Sequence, residues 1–226
     1  MTQQDPRSVL SVPFMTAWDG EAAPRLEMRW SRGVLRLSDE EPGDRDEYGV
    51  LWARHTDAPG AGRPAFGRVH SGRQRTAMAA LDCQVCGNTA QRTPSGRWTW
   101  LVELAESADV VRYSRSWTTT SYPPVCTPCL ELAVERCPVL RKGFAVLSVG
   151  KVTPYGVRGI RFTRTWRGVR PRSGAARHIP YDDPRIGSVL ATQAVVRLDE
   201  VTLTDWAHSA HGAAEHPHVP HERTAR

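Results

Sequence analysis

Lysine is almost absent from this chain of 226 residues: Lys142 and Lys151 are its only lysines, so arginine supplies nearly all of the 30 basic residues. With 24 acidic residues, the formal net charge is +6 and the isoelectric point is about 9.4. A chain rich in Arg, Ala, Gly and Pro and poor in Lys is typical of a high-GC, bacterial-like genome. The same bias suits the recognition of phosphates and carboxylates, because the planar guanidinium group binds them in a bidentate way. Both interpretations stay open on composition alone.

Long apolar segments are also missing. Residues 1–9 are polar and have no apolar signal-peptide core, and no stretch reaches the roughly 18 apolar residues of a membrane span. The sequence therefore predicts a cytoplasmic protein with no membrane partner. Because that compartment is reducing, closely spaced cysteines are expected to be metal ligands rather than disulfides.

Cysteine is scarce but regularly spaced. Four of the five cysteines form two Cys-x-x-Cys pairs, Cys83 with Cys86 and Cys126 with Cys129. Each pair can hold one edge of a tetrahedron, so the four thiolates predict one zinc ion, and a site with four protein ligands is structural. Buried free thiols and redox-active pairs are the alternatives. Cys137 lies too far along the chain to join the same ion and is expected to be a buried thiol.

The segment around these pairs, residues 81–138, resembles a treble-clef zinc finger. In order it contains a Cys-x-x-Cys-Gly knuckle ending at Gly87, two strand-like segments over 97–103 and 110–119 that suit a hairpin, and a short helix predicted over 128–137. The resemblance implies a zinc-stabilised fold that nucleases, ribosomal proteins and DNA- or RNA-binding modules share. It does not choose among these functions.

Histidine is missing from residues 71–177, which bears on the nuclease possibility. HNH nucleases, which share the treble-clef fold, place a His on the first hairpin strand and a His or Asn on the helix, and neither is present here. The sequence therefore favours a protein that is not an enzyme. A degenerate HNH-like nuclease, or another enzyme that uses His178 with Asp182 and Asp183, is kept as an alternative.

The whole chain predicts an α+β fold in which short antiparallel strands surround the four-cysteine finger. Residues 1–24 are expected to be a flexible lead-in, residues 25–206 a single domain that contains finger 81–138, and residues 207–226 a disordered His-rich tail. A C-terminal helix is predicted from Pro184 to about Leu198, because a capping aspartate pair precedes the proline and apolar residues follow at helical spacing.

Acidic residues are absent from Arg136–Tyr181, a segment with eleven Arg or Lys and interleaved aromatic residues. Such a run suits a phosphate backbone, and exposed aromatics can stack on bases. A solvated surface neutralised by the acidic loop 38–47 is the simpler alternative. We expect a zinc-stabilised DNA- or RNA-binding or regulatory protein, with an adaptor for an acidic protein partner as the alternative. The candidate phosphate ligands are Arg73, Arg75, Arg158, Arg161, Arg164, Arg167 and Arg170.

Overall fold

The computed structural model describes residues 12–21, 23–104, 116–172 and 178–208. These residues form strands and two helices, an α+β composition as expected. In chain order the elements are β1 (Thr16–Trp18), β2 (Met28–Ser31), β3 (Val34–Leu37), β4 (Leu51–Trp52), β5 (Pro64–Val69), α1 (Ser71–Ala80), β6 (Trp98–Glu103), β7 (Trp117–Thr120), α2 (Thr127–Arg136), β8 (Gly143–Thr165), β9 (Gly168–Pro171), β10 (Ile179–Pro180) and β11 (Val189–His208).

Two long strands, β8 and β11, form the centre of the main sheet and pair with each other in antiparallel register. β6, β9 and β10 pair with β8, whereas β4 and β7 pair with β11, and only the β4 pairing is parallel. Val and Thr are frequent in both long strands, and β-branched side chains favour extended backbone. The remaining strands form two small antiparallel sheets, β1 with β5 and β2 with β3.

The first half of β8 is buried on both faces, and α1 covers one of them. Ala145, Leu147 and Val149 alternate along β8 and therefore share that face. They belong to one core cluster with Trp100 of β6 and Met78 of α1. This cluster fixes the helix against the sheet.

The four-cysteine segment covers the opposite face. Phe144 and Val146 alternate with the residues of the first cluster and so lie on the other side of β8. They pack in a second cluster that includes Cys83 and Cys129, both fully buried. The sheet thus lies between α1 and the cysteines.

Gln74 fastens α1 to the sheet with hydrogen bonds as well as packing. Its side chain is fully buried, and its Nε2 donates to the carbonyl oxygens of Ser121 at 2.7 Å and Ala194 at 2.9 Å. Its Oε1 accepts the N–H of Ala194 at 2.8 Å. A buried amide with partners at both ends holds its neighbours in one arrangement.

The predicted helix from Pro184 to Leu198 is wrong. Only Ile186–Ser188 form a helical turn, of the 3₁₀ type, and Val189–His208 is strand β11. The aspartate does act locally, because Asp183 Oδ1 accepts the N–H of Arg185 at 2.8 Å. Beyond this turn, pairing with β8 along nearly the whole strand overrides the local apolar spacing, and the strands are long rather than short.

The predictions near the cysteines are closer to the structure. The helix predicted over 128–137 is confirmed as α2, Thr127–Arg136. The strands predicted over 97–103 and 110–119 are present as β6 and β7, although residues 105–115 lie outside the described part. Within that part β6 pairs with β8 and β7 with β11, so the hairpin of a treble clef is not shown.

The ends of the chain differ in what the structure describes. Within the expected lead-in 1–24, Thr16–Trp18 form β1, which pairs with β5, so this portion is structured. Of the expected tail, residues 209–226 lie outside the described part. No helix among the described residues has the length and apolar character needed to cross a membrane.

Candidate functional site

The structure brings the four predicted metal ligands together. The Sγ atoms of Cys83, Cys86, Cys126 and Cys129 all lie within 4.8 Å of one another, and those of Cys86 and Cys126 are 3.9 Å apart. Sulfurs about 2.3 Å from a tetrahedral ion are about 3.8 Å from one another. Cys83 and Cys129 are buried, whereas Cys86 and Cys126 are partly exposed. The arrangement therefore fits a tetrahedral metal ion.

Local backbone geometry explains why the two cysteine pairs take this form. Gly87 has a φ of +73°, and a Cβ there would lie 2.7 Å from the ring of Phe14, so glycine is required. Its N–H donates to the carbonyl oxygen of Cys83 at 2.9 Å, which closes the knuckle. Cys126 is the N-cap of α2, and Cys129 lies in its first turn, where the helix dipole stabilises a thiolate.

The thiols share protons in a way that a cation would relieve. A hydrogen bond between Cys83 and Cys86 lowers the pKa of Cys86 to about 5 and raises the pKa of Cys83. Burial raises the pKa of Cys129. The N–H of Cys126 donates to Cys83 Sγ at 3.4 Å, a contact typical of a stabilised sulfur anion. Four thiolates this close need a positive ion between them, so the donor set fits a thiophilic metal.

Phe14 connects this metal group to α1. Its N–H donates to the carbonyl oxygen of Val85 in the knuckle at 2.8 Å, and its ring contacts Gly87. Its carbonyl oxygen accepts a hydrogen bond from Nε of Arg73 at 2.8 Å. The knuckle and the first turn of α1 are therefore joined through one residue of the N-terminal segment.

Arg73, a predicted phosphate ligand, has a structural role instead. It is 6% exposed, and all five of its N–H donors have acceptors: the carbonyl oxygens of Phe14 and Thr16, both carboxylate oxygens of Glu21, and the carboxylate of Asp57. The hydrogen bond from Arg73 lowers the pKa of the buried Glu21 carboxyl to about 2. No donor of Arg73 is left for a phosphate.

Sequence reasoning missed the acidic partners of Arg73. Side-chain ligand atoms of Glu21, Asp57 and His70 lie within 4.8 Å of one another beside a cleft of about 720 Å³. However, both ring nitrogens of His70 already make hydrogen bonds, and the Arg73 guanidinium binds the two carboxylates as a metal ion would. Glu21 is 52 residues from Arg73, so no local pattern announces this ion-pair network.

The acidic loop 38–47 is neutralised by arginines next to it. Its ion pairs are Glu40 with Arg36 and Arg45, and Asp39 and Asp44 with Arg54, at 2.5 to 3.2 Å. The hydrogen bonds from Arg45 and Arg54 hold the pKa values of Glu40 and Asp44 below their usual range. These carboxylates therefore do not neutralise the basic segment that follows Arg136.

That basic segment contains a hairpin whose arginines have no acidic partners. The end of β8, the turn at Trp166 and Arg167, and β9 form this arginine hairpin, residues 161–172. The side chain of Thr165 donates to the carbonyl oxygen of Gly168 at 2.8 Å and closes the turn. Within the described residues, no carboxylate lies within 4.0 Å of any of its five arginines. They are Arg161, Arg164, Arg167, Arg170 and Arg172.

The arginine hairpin has one apolar face and one basic face. Phe162 and Val169 pack with the buried leucines of β3 and β4 in a third core cluster. Residues that alternate with them lie on the opposite side, and cross-strand partners lie side by side. Thr163 pairs with Arg170, and the N–H of Arg172 donates to the carbonyl oxygen of Arg161 at 2.7 Å. The basic face therefore consists of Arg161, Thr163, Thr165, Arg170 and Arg172.

Trp166 lies at the tip of the arginine hairpin and is 87% exposed, whereas Trp100 in the core is fully buried. The guanidinium carbon of Arg167 lies 4.3 Å from the centre of the Trp166 ring, within cation–π range. A large aromatic side chain held in solvent on a paired hairpin is typical of a binding surface.

The other predicted phosphate ligands lie outside this hairpin. Arg75 on α1 stacks over the ring of Trp52 at 4.7 Å. Arg158 is in the middle of β8 and alternates to the side opposite the basic face. The sequence reasoning left out Arg172, and also Arg29, which is exposed on β2, the strand beside β9.

The residues of the enzyme alternative are engaged with other groups. His178 Nδ1 lies 2.9 Å from Thr119 Oγ1. The carboxylate of Asp183 binds Arg185 at 2.8 and 2.5 Å, which lowers the pKa of Asp183. The structure thus gives both residues local structural roles.

Comparison of the chain with protein-family models, with curated proteins and with solved structures found no match. The four-cysteine group and the arginine hairpin are therefore the features from which a function is argued.

Proposed function

We propose that this protein binds nucleic acid through the arginine hairpin and that a structural zinc ion in the four-cysteine group supports the sheet beneath it. The observation that carries the proposal is the absence of acidic partners around five arginines that share one hairpin with an exposed Trp166. The acidic loop, the obvious source of partners, is already paired with Arg36, Arg45 and Arg54.

Electrostatics favours an anionic ligand at this surface. Five positive charges within residues 161–172 repel one another, and a polyanion relieves that repulsion and gains from it. Guanidinium groups bind phosphate oxygens in a bidentate way. The hydroxyl groups of Thr163 and Thr165 on the same face add hydrogen-bond donors of the kind that contact phosphates.

Zinc is the metal that suits four thiolates in a tetrahedron, and such a set leaves no coordination position for a substrate. A treble-clef-like finger is the arrangement we propose for it. Because Cys83 and Cys129 pack directly against Phe144 and Val146, the ion would support β8 rather than carry out a reaction.

The test is fluorescence anisotropy with labelled random-sequence DNA and RNA at about 50 and 200 mM salt. A triple variant, Arg161→Gln, Arg170→Gln and Arg172→Gln, removes three charges from the basic face. The control Arg25→Gln, Arg63→Gln and Arg68→Gln removes three exposed charges elsewhere. We expect the hairpin variant to lose affinity and to flatten the salt dependence by about 1 per lost phosphate contact, and the control to change little.

Two results would contradict the proposal. One is the absence of binding at low salt by the wild-type protein. The other is equal weakening by both triple variants, which would indicate attraction to net charge alone. Polyglutamate in place of nucleic acid separates the adaptor alternative, because an acidic-protein receptor would bind it as tightly as DNA or RNA.

A further inference from the structure

We infer that this protein binds nucleic acid in its single-stranded form, with an unpaired base stacked on the indole ring of Trp166. The inference rests on the proposed function and specifies the form of nucleic acid and the residue that distinguishes it.

The first argument is the rigid position of the indole. Trp166 and Arg167 are the two residues between the paired positions Thr165 and Gly168, and Gly168 has a φ of +100° that permits this tight turn. The hydrogen bond from Thr165 Oγ1 to the Gly168 carbonyl closes its base. The ring is therefore presented at the end of a braced hairpin, which reduces the entropy lost when a ligand stacks on it.

The second argument is the state of the two ring faces. The guanidinium of Arg167 lies 4.3 Å from the centre of the Trp166 ring, which places a cation over one face. At 87% exposure the indole has ample uncovered surface on its other side. A planar base can occupy that side and complete a three-layer stack.

The third argument separates single strands from duplexes. In a duplex each base is already stacked on both sides and presents only its edges in the grooves, whereas an unpaired base offers a free π-face. The basic face begins next to the tip with Thr165 and continues through Arg170 to Arg161 and Arg172. A single strand whose base stacks on Trp166 can therefore pass its phosphates along these arginines.

Other exposed aromatic residues do not combine these features. Phe66 is 67% exposed but lies on β5, in the separate two-stranded sheet with β1. Trp117 is 40% exposed and its ring is contacted by Arg197 at 4.8 Å. Phe66 thus provides a control position for removal of an exposed aromatic ring.

The experiment measures binding of one labelled sequence of about 12 nucleotides as single-stranded DNA, as single-stranded RNA and as the matching duplex. The proteins compared are the wild type, Trp166→Ala, Trp166→Phe and the control Phe66→Ala. We expect tighter binding of single strands than of duplex, and a loss of about tenfold for Trp166→Ala on single strands only. Trp166→Phe, which keeps a ring, is expected to retain most of the affinity, and Phe66→Ala all of it. The DNA and RNA arms identify which single strand is preferred.

Each other outcome has a definite meaning. If nucleic acid binds but Trp166→Ala is unchanged, or if duplex binds as well as single strands, the stacking inference is overturned while the proposed function stands. If Trp166→Ala weakens duplex binding equally, the ring acts as a wedge in a duplex, and the single-strand inference is likewise overturned. If no form binds at low salt, both fail together.

Discussion

Two groups of arginines in this protein share a side chain but have opposite surroundings. In the N-terminal part, Arg36, Arg45, Arg54 and Arg73 each contact a carboxylate, and Arg73 uses all five donors inside the protein. In the arginine hairpin, none of the five has a carboxylate within 4.0 Å in the described part of the chain. The first group holds loops in place, and the second leaves its donors available. The comparison shows that partners, rather than arginine content, separate structural from binding residues.

Metal removal has the largest expected effect, because the knuckle supports β8 directly and the Arg73 network through Phe14. We expect about one zinc per chain by elemental analysis, since two cysteine pairs fill one tetrahedral site. Cys129→Ser is expected to lose the ion and much of the stability measured by denaturant unfolding, because structural zinc contributes about 10–16 kcal/mol in zinc-finger peptides. Cys137→Ser, outside the four-cysteine group, is the control and is expected to keep both. A metal-free wild type of undiminished stability would contradict the metal centre.

Substitution of one arginine from each group compares the two directly. Arg73→Met leaves the buried Glu21 carboxylate without its partner, and breaking a buried ion pair costs about 3–5 kcal/mol. Arg170→Met removes an exposed side chain, so the free energy of unfolding should change by no more than about 0.5 kcal/mol. Urea denaturation of both variants measures the difference, and equal destabilisation would abolish the distinction between the groups.

Acid should affect the two groups differently. The folded pKa of Glu21 is about 2, against an ordinary value of 4.5, so its contribution to stability is fully present above about pH 4.5 and is lost as pH falls toward 2. Thermal unfolding between these pH values should show this loss, and Glu21→Gln should flatten that part of the profile. The hairpin arginines have no carboxylate partner to protonate, so Arg170→Met should leave the profile unchanged. An identical pH profile for wild type and Glu21→Gln would argue against the buried pair.

The cysteine group and its helix were predictable because their signals are local. The two Cys-x-x-Cys spacings, Gly87 and the proline after Thr127 specify the ligands and α2 within a few residues. Alternation along β8 likewise placed Phe162 opposite Arg161 and Thr163. Each of these features depends on neighbours close in sequence.

The errors come from contacts between distant residues. Val189–His208 is a strand because β8 pairs with it, despite apolar spacing that suits a helix. β6 and β7 each pair with a different long strand instead of with each other. Arg73 is buried because Glu21 meets it from 52 residues away. A single sequence does not contain these pairings in any short window, so an exposed arginine and a buried one look alike in it.

Ultraviolet crosslinking of a bound single-stranded oligonucleotide, followed by peptide mapping, tests the difference between the two arginine groups most directly. We predict that crosslinks concentrate in residues 161–172, with Trp166 among them, and that residues 36–54 remain unlabelled. Crosslinks centred on the acidic loop and its paired arginines, with none in the arginine hairpin, would contradict the account.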